Sequence, residues 1–304
     1  MANLLYEKWL DGEGVLVGDG AMGTMLQATG LEPGDAPERL NGENPDAVRS
    51  VHEAYLRAGS DVITTNTFGG NSLRLALHDA GDKVFEWNKA GAAAARQAAD
   101  AQEREVIIAG SVGPTGSLLQ PVGDLHFDEA KDDFAEQCAA LAEGGVDVIL
   151  IETMSDLEEV RAAIKGARAV CDLPVFCTMT FDTHGRTMMG TSPEEAVRAV
   201  AGFGVQAFGS NCGNGPNEME EIAGKMFRAP SGFPLIIQAN AGVPKMEGNQ
   251  VVYEAGPERM ADHARRCSDL GIRYIGGCCG TTPVHIQAMI EAMKGSGEQG
   301  SEES

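Results

Sequence analysis

Three cysteines and their neighbours are the strongest chemical signal in this chain. Gly276-Gly277-Cys278-Cys279-Gly280 and the distant Asn211-Cys212-Gly213 would, brought to one point, offer a zinc ion three thiolates and room for one further ligand. A structural zinc site normally draws four protein ligands in short-spaced pairs. Three ligands from two separate places instead resemble a catalytic site, in which the fourth position is left for substrate. Adjacent residues of a strand point to opposite faces, so Cys278 and Cys279 can grip one metal only if the backbone leaves the extended form there. Gly276, Gly277 and Gly280 are expected to supply that freedom.

The elements that must position these thiols follow from hydrophobic periodicity. Eight short β-branched apolar runs recur: Val15 to Asp19, Asp61 to Phe68, Val106 to Pro114, Val146 to Thr153, Pro174 to Phe181, Ala207 to Cys212, Leu235 to Asn240 and Tyr274 to Cys279. Helix-like stretches separate them at Pro45 to Ala58, Lys83 to Ala101, Phe127 to Glu143, Leu157 to Ala169, Ser192 to Gly202, Glu218 to Met226 and Pro257 to Leu270. That rhythm in 304 residues predicts an α/β fold, a single-domain (β/α)8 TIM barrel over residues 1–294, with an insertion at Leu31 to Asn44 and longer loops after strands three, five and seven. The tail 295–304, GSGEQGSEES, is too poor in apolar residues to pack and is expected to be a disordered acidic tail.

A barrel carries its active site where its strands end, and those ends are polar here. Strand one runs into Asp19-Gly20-Ala21-Met22-Gly23-Thr24, strand two into Thr65-Asn66-Thr67-Phe68, strand four into Glu152-Thr153 and strand seven into Asn240-Ala241-Gly242. A carboxylate directly after Val-Ile-Leu-Ile, as Glu152 is, is costly to bury unless paired or hydrogen-bonded. Blander readings stand beside these. Asp19 could only shape a turn, and Asn66, Asn211 and Asn240 could only satisfy loop backbone. Cys138, Cys171, Cys177 and Cys267 read as small core residues, and the six histidines as surface or capping residues.

Composition narrows the partners. With 45 acidic against 23 basic residues the net charge is −22, which argues against nucleic acid and anionic membrane. No apolar run reaches the roughly 18 residues that span a bilayer, and MANLLYEKWLDGEG lacks the pattern of a secretory signal. A soluble, cytoplasmic protein is expected. Seven cysteines, an odd number, fit thiols available to metal better than a disulfide framework.

Together these residues resemble the zinc-dependent homocysteine S-methyltransferase family, from about Gly18 to about Pro283. The most specific pieces are the two cysteine motifs, followed by Gly18-Asp19-Gly20-Ala21-Met22-Gly23-Thr24-Met25 and Asn240-Ala241-Gly242-Val243-Pro244. The last two look most like the homocysteine-binding module of cobalamin-dependent methionine synthase. The resemblance implies that Cys212, Cys278 and Cys279 hold zinc, that Asp19 and Glu152 hold the amino group of homocysteine, and that the N–H groups of Gly20 and Ala21 face its carboxylate. Asn66 and Asn240 are placed beside them as substrate-binding candidates. The chemistry is coherent, because a free thiol is only a few per cent thiolate at pH 7 and coordination to zinc deprotonates it outright.

The methyl donor is less legible. Relatives that use betaine surround its cation with aromatic rings, but Gly69 and Thr153 stand here where those relatives carry tyrosines, and the strand ends offer only Phe68 and Phe181. Small residues at the mouth suit methylcobalamin held on a separate corrinoid protein or module. S-methylmethionine or a betaine-like donor is the alternative, and a non-catalytic zinc- and thiol-binding barrel a minor one.

Overall fold

The computed structural model describes residues 3–32, 34–247 and 250–295. Its main sheet contains β1 (Leu16–Val17), β2 (Val62–Thr64), β3 (Ile107–Val112), β4 (Val148–Met154), β5 (Val175–Met179), β6 (Ala207–Cys212), β7 (Leu235–Ala239) and β10 (Tyr274–Gly277), all parallel, in the order β1-β10-β7-β6-β5-β4-β3-β2. A parallel bridge from Gly18 to Val62 and the Asp61 N–H to Val17 O bond of 2.7 Å join the two edges, closing the expected (β/α)8 barrel. A hairpin of β8 (Lys245–Glu247) and β9 (Gln250–Val252), not foreseen from the sequence, fills the long loop after β7.

Each barrel strand is followed by a helix: α4 (Pro45–Ala58), α6 (Val84–Asp100), α7 (Phe127–Gly144), α8 (Leu157–Val170), α9 (Pro193–Ala201), α10 (Pro216–Arg228), α11 (Pro257–Leu270) and α12 (Pro283–Gly295). α4 shows why these ends fall where they do. The Asn44 side chain accepts the Ala47 N–H at 3.3 Å, Pro45 takes the first turn, and Gly59 closes the helix at φ +104°. The shorter α1 (Leu4–Leu10), α2 (Met22–Ala28), α3 (Arg39–Glu43) and α5 (Ser72–Ala76) were not read from the sequence. α3 lies within the expected insertion. The acidic tail falls outside the described residues apart from Gly295, which ends α12.

Two corrections concern histidines. His52 lies on the buried stripe of α4 with Val48, Val51, Tyr55 and Leu56, and burial pushes its ring down to about 4, so it is a neutral core residue. His263 is equally buried on α11, its Nδ1 3.3 Å from Glu220 Oε1 of α10. Among the others, His126 is the N-cap of α7, where its own N–H reaches Glu129 at 3.1 Å.

The barrel interior follows a strict period of two. Val148 and Leu150 of β4 face inward with Ile107 and Ala109 of β3, Leu16, Val62, Phe176, Ile236 and Tyr274, while Ile149 and Ile151 face the helices. Trp9 of α1 joins the interior cluster against Phe176, with ring centroids 5.4 Å apart, and donates Nε1 to Arg273 O at 2.7 Å. One step further along the same inward positions, the apolar residues give way to Thr64, Ser111, Glu152, Thr178 and Gln238. The periodicity that builds the core thereby hands its last layer to the site.

Candidate active site and metal centre

That layer opens into a cavity of about 470 Å³ lined by Asp19, Gly20, Ala21, Asn66, Ser111, Glu152, Thr153, Gln238 and the three cysteines, among others. The Sγ atoms of Cys212, Cys278 and Cys279 all lie within 4.8 Å of one another, with Cys212 and Cys278 at 3.0 Å. Zinc–sulfur bonds of about 2.3 Å in a tetrahedron would set sulfurs roughly 3.8 Å apart, so the trio could hold a metal with small rotamer adjustments. Hydrogen bonds from the Cys212 and Cys278 thiols draw Cys279 down to about 3, and contacts with its two neighbours push Cys278 up. Cys212 is likewise held above its ordinary value, so the metal-free cluster gathers its negative charge on Cys279 while the other two thiols keep their protons.

The backbone reaches this geometry differently from the sequence expectation. Gly276 and Gly277 stay within β10; Gly277 is needed for space, since a Cβ there would lie 2.3 Å from Thr281 Oγ1. Departure from the extended form begins after Cys278, in a tight turn closed by Thr281 N–H to Cys278 O at 3.1 Å, with Gly280 at φ +78°. At the other motif the non-glycine Cys212 itself adopts φ +62°, as does Thr153 at φ +63°. Left-handed φ is costly for such residues, and here it turns the Cys212 thiol toward Cys278.

Two asparagines hold the motifs together. Asn240 does not line the cavity. Its Oδ1 accepts the Cys279 N–H at 3.0 Å and its Nδ2 donates to Gly213 O at 2.7 Å, so one side chain ties both cysteine loops. Asn211 accepts from Thr153 N–H at 3.0 Å and Thr178 Oγ1 at 2.8 Å, donates to Thr153 Oγ1 at 2.7 Å, and lies 3.7 Å from Cys212 Sγ. Asn66 reaches the cavity wall, but its Nδ2 is committed to Pro37 O at 2.8 Å and Asn41 Oδ1 at 2.9 Å.

The carboxylates share the cavity with the thiols. Asp19 is 3% exposed and accepts from the Thr64 N–H at 2.7 Å and Thr64 Oγ1 at 3.0 Å. Ser111 Oγ donates to Glu152 Oε1. Burial outweighs these bonds and pushes both carboxyl groups up to about 7. Arg74 and His78 line the same cavity, but among the described residues no cation contributes to the electrostatics of either acid, and both are placed to accept one from a ligand. The Ala21 N–H points to Thr281 Oγ1 at 3.3 Å, and a Cβ on Gly20 would lie 2.5 Å from that oxygen, so this backbone is packed against the Cys278–Thr281 turn.

Sequence reasoning missed Thr64, Ser111 and Gln238, although the inward period of two would have found them. It also missed Glu38, 4% exposed, which accepts the Gly69 N–H at 2.6 Å. No sequence signal brings Glu38 to Gly69. Tyr253, from the loop after β9, packs its ring where a Gly280 Cβ would sit, 2.2 Å away, and hydrogen-bonds to Cys279.

Fold and site define a TIM barrel with a thiol-rich candidate metal centre and an acidic pocket at its active-site end. The model of the homocysteine S-methyltransferase family matches residues 16–293, and the chain belongs to that family, enzymes named for methyl transfer to the homocysteine sulfur. Methionine synthase of Mycobacterium tuberculosis is 35% identical over 294 residues, and that of Mycobacterium leprae 34%. The alignment to the former covers 92% of this chain but 24% of that protein, so the chain spans about a quarter of the curated methionine synthases it matches. The metallated homocysteine methyltransferase MmuM of Escherichia coli superposes with a TM-score of 0.75 at 26% identity, covering 92% of this chain and 96% of that one. A methyltransferase from Methanosarcina mazei shares the fold, with a TM-score of 0.62 at 11% identity.

Proposed function

We propose that this chain transfers a methyl group to the thiol of L-homocysteine, giving methionine, with zinc on Cys212, Cys278 and Cys279 and methylcobalamin on a separate protein or module as donor. The observation that carries this reading is the placement of three thiols and two carboxyl groups, without an ion-pair partner among the described residues, in one cavity. A store for metal needs no acidic pocket. Bound to the trio, zinc would supply acidity that keeps the substrate sulfur deprotonated at neutral pH.

The chain's own groups do the rest. Asp19 and Glu152 take the substrate's ammonium, which supplies the positive charge their burial lacks and returns both to the ionised form. The backbone of Gly20 and Ala21 faces the carboxylate, Ala21 sharing its N–H with Thr281. Asn211 and Asn240 fix the thiols, so the reacting sulfur is presented from one direction toward the cavity mouth. The sulfur–carbon bond forms as the donor's bond to the methyl breaks, the electron pair leaving with the donor and the thiol proton going to solvent. No side chain is needed as acid or base at the transferred carbon.

The cobalamin reading draws support from the identity to methionine synthases. S-methylmethionine remains the second reading, since its small sulfonium could enter a mouth lined by Gly69 and Thr153 without an aromatic cage. Turnover of zinc-loaded protein with homocysteine and methylcobalamin, S-methylmethionine or betaine tests both. Methylation from none of the three would defeat the reading.

A further inference from the structure

Among the polar side chains of the cavity that this scheme leaves unused, Gln238 stands out by an orphaned buried atom. Gln238 sits on the inner face of β7, two positions beyond Ile236, and pairs across to Asn211 of β6 and Gly276 of β10. It is 4% exposed, lines the same cavity as Asp19, Glu152 and the cysteines, and its Oε1 is buried without a hydrogen-bond partner among the described residues. A Cβ on Gly276 would lie 3.2 Å from Gln238 Cγ and 3.4 Å from the Asp19 carbonyl oxygen. The absence of a side chain at Gly276 thus lets Gln238 pass close to the strand end that carries Asp19.

Buried amide oxygens without donors are rare because the missing bond is costly. The last torsion of glutamine is broad and roughly two-fold, and no bond holds this oxygen in place, so a turn about it can present the oxygen to a ligand. An α-ammonium has three N–H donors and no acceptor. Asp19 and Glu152 provide acceptors for two of them. A third carboxylate would add negative charge beside two carboxyl groups already pushed up and a cluster of thiolates, whereas a neutral amide adds a bond without that penalty.

We infer that Gln238 is the third acceptor for the substrate's α-ammonium and makes the site selective for α-amino thiols over thiols that lack the amino group. The inference rests on the assignment of Asp19 and Glu152 to the ammonium. It is tested by calorimetric binding of L-homocysteine and of 4-mercaptobutyrate, which keeps thiol and carboxylate but has no amine, to reduced, zinc-loaded wild type and Gln238→Met. The variant is expected to weaken homocysteine roughly ten- to hundred-fold, the worth of one hydrogen bond to a charged group. Binding of 4-mercaptobutyrate should change less than about two-fold, with zinc content unaltered.

Equal weakening of both thiols would assign the amide to the carboxylate or to shape alone and overturn the inference, as would unchanged homocysteine binding. If Gln238→Met does not fold, Gln238→Asn serves, since it keeps the amide but withdraws it by one methylene, and the same amine-selective loss is expected. A wild type that does not prefer homocysteine over 4-mercaptobutyrate would sink the ammonium pocket itself. A wild-type preference that persists undiminished in the variants would sink only the role of Gln238.

Discussion

Asp19→Asn separates binding from stability. The carboxylate's two bonds to Thr64, at 2.7 and 3.0 Å, can both survive the change: the amide oxygen accepts the N–H, and the amide nitrogen donates to the hydroxyl, which accepts as well as it donates. What is lost is the charge. Removing one partner of a desolvated ion pair costs about 2–5 kcal/mol, roughly thirty-fold to several thousand-fold in affinity, so homocysteine should bind far more weakly while zinc content stays whole.

The free protein should respond in the opposite sense. Asp19 is raised from 3.8 to about 7 in the fold, so the folded state holds a proton that the unfolded state has released between those values. Wild-type stability therefore falls as pH rises through this window, and part of that slope should vanish in the variant. At pH 8 the variant should be as stable as wild type or more so. Calorimetric titration and urea unfolding at pH 5 and pH 8 read both effects. Unchanged homocysteine affinity, or a loss of more than about 1 kcal/mol of stability at pH 8, would refute the reasoning.

Other expectations follow from the same geometry. Any of Cys212→Ala, Cys278→Ala or Cys279→Ala should abolish stoichiometric zinc in reduced protein without unfolding it, because a barrel of this size has its own core; full zinc occupancy by elemental analysis would contradict the assignment. Asn240→Ala should cost about 1–3 kcal/mol of stability and about ten-fold or more in zinc affinity, since it unties both cysteine loops; a chelator competition shows whether it does. Glu152→Gln should raise the KM for homocysteine with zinc retained, and an unchanged KM would remove Glu152 from the pocket. Betaine should give no turnover, as Gly69 and Thr153 provide no aromatic rings for its cation.

Much of this architecture was legible in the sequence because apolar runs such as Val148–Ile151, buried on both faces, cannot be satisfied outside a covered parallel sheet. The cysteine cluster was legible because chemistry restricts which residues can serve a metal. What escaped depends on packing between distant elements. Nothing local announces that Trp9 enters the barrel, that His52 sits on the inward stripe of α4, or that Glu38 meets Gly69. The left-handed backbone at Cys212 and Thr153 was also hidden, since glycine is the usual marker and the surrounding hydrogen bonds from Asn211 take its place. Asn240 was read as a substrate-binding candidate or as a residue that only satisfies loop backbone, and in the fold its side chain bonds the Cys279 and Gly213 backbones.

The central claim is that the three thiols hold zinc and leave a position for the substrate sulfur. Zinc-edge X-ray absorption on reduced protein, before and after homocysteine, tests it most directly. The account predicts three sulfurs at about 2.3 Å rising to four when homocysteine is added. A sulfur count that does not change, or a zinc shell without three sulfurs at the outset, would contradict it.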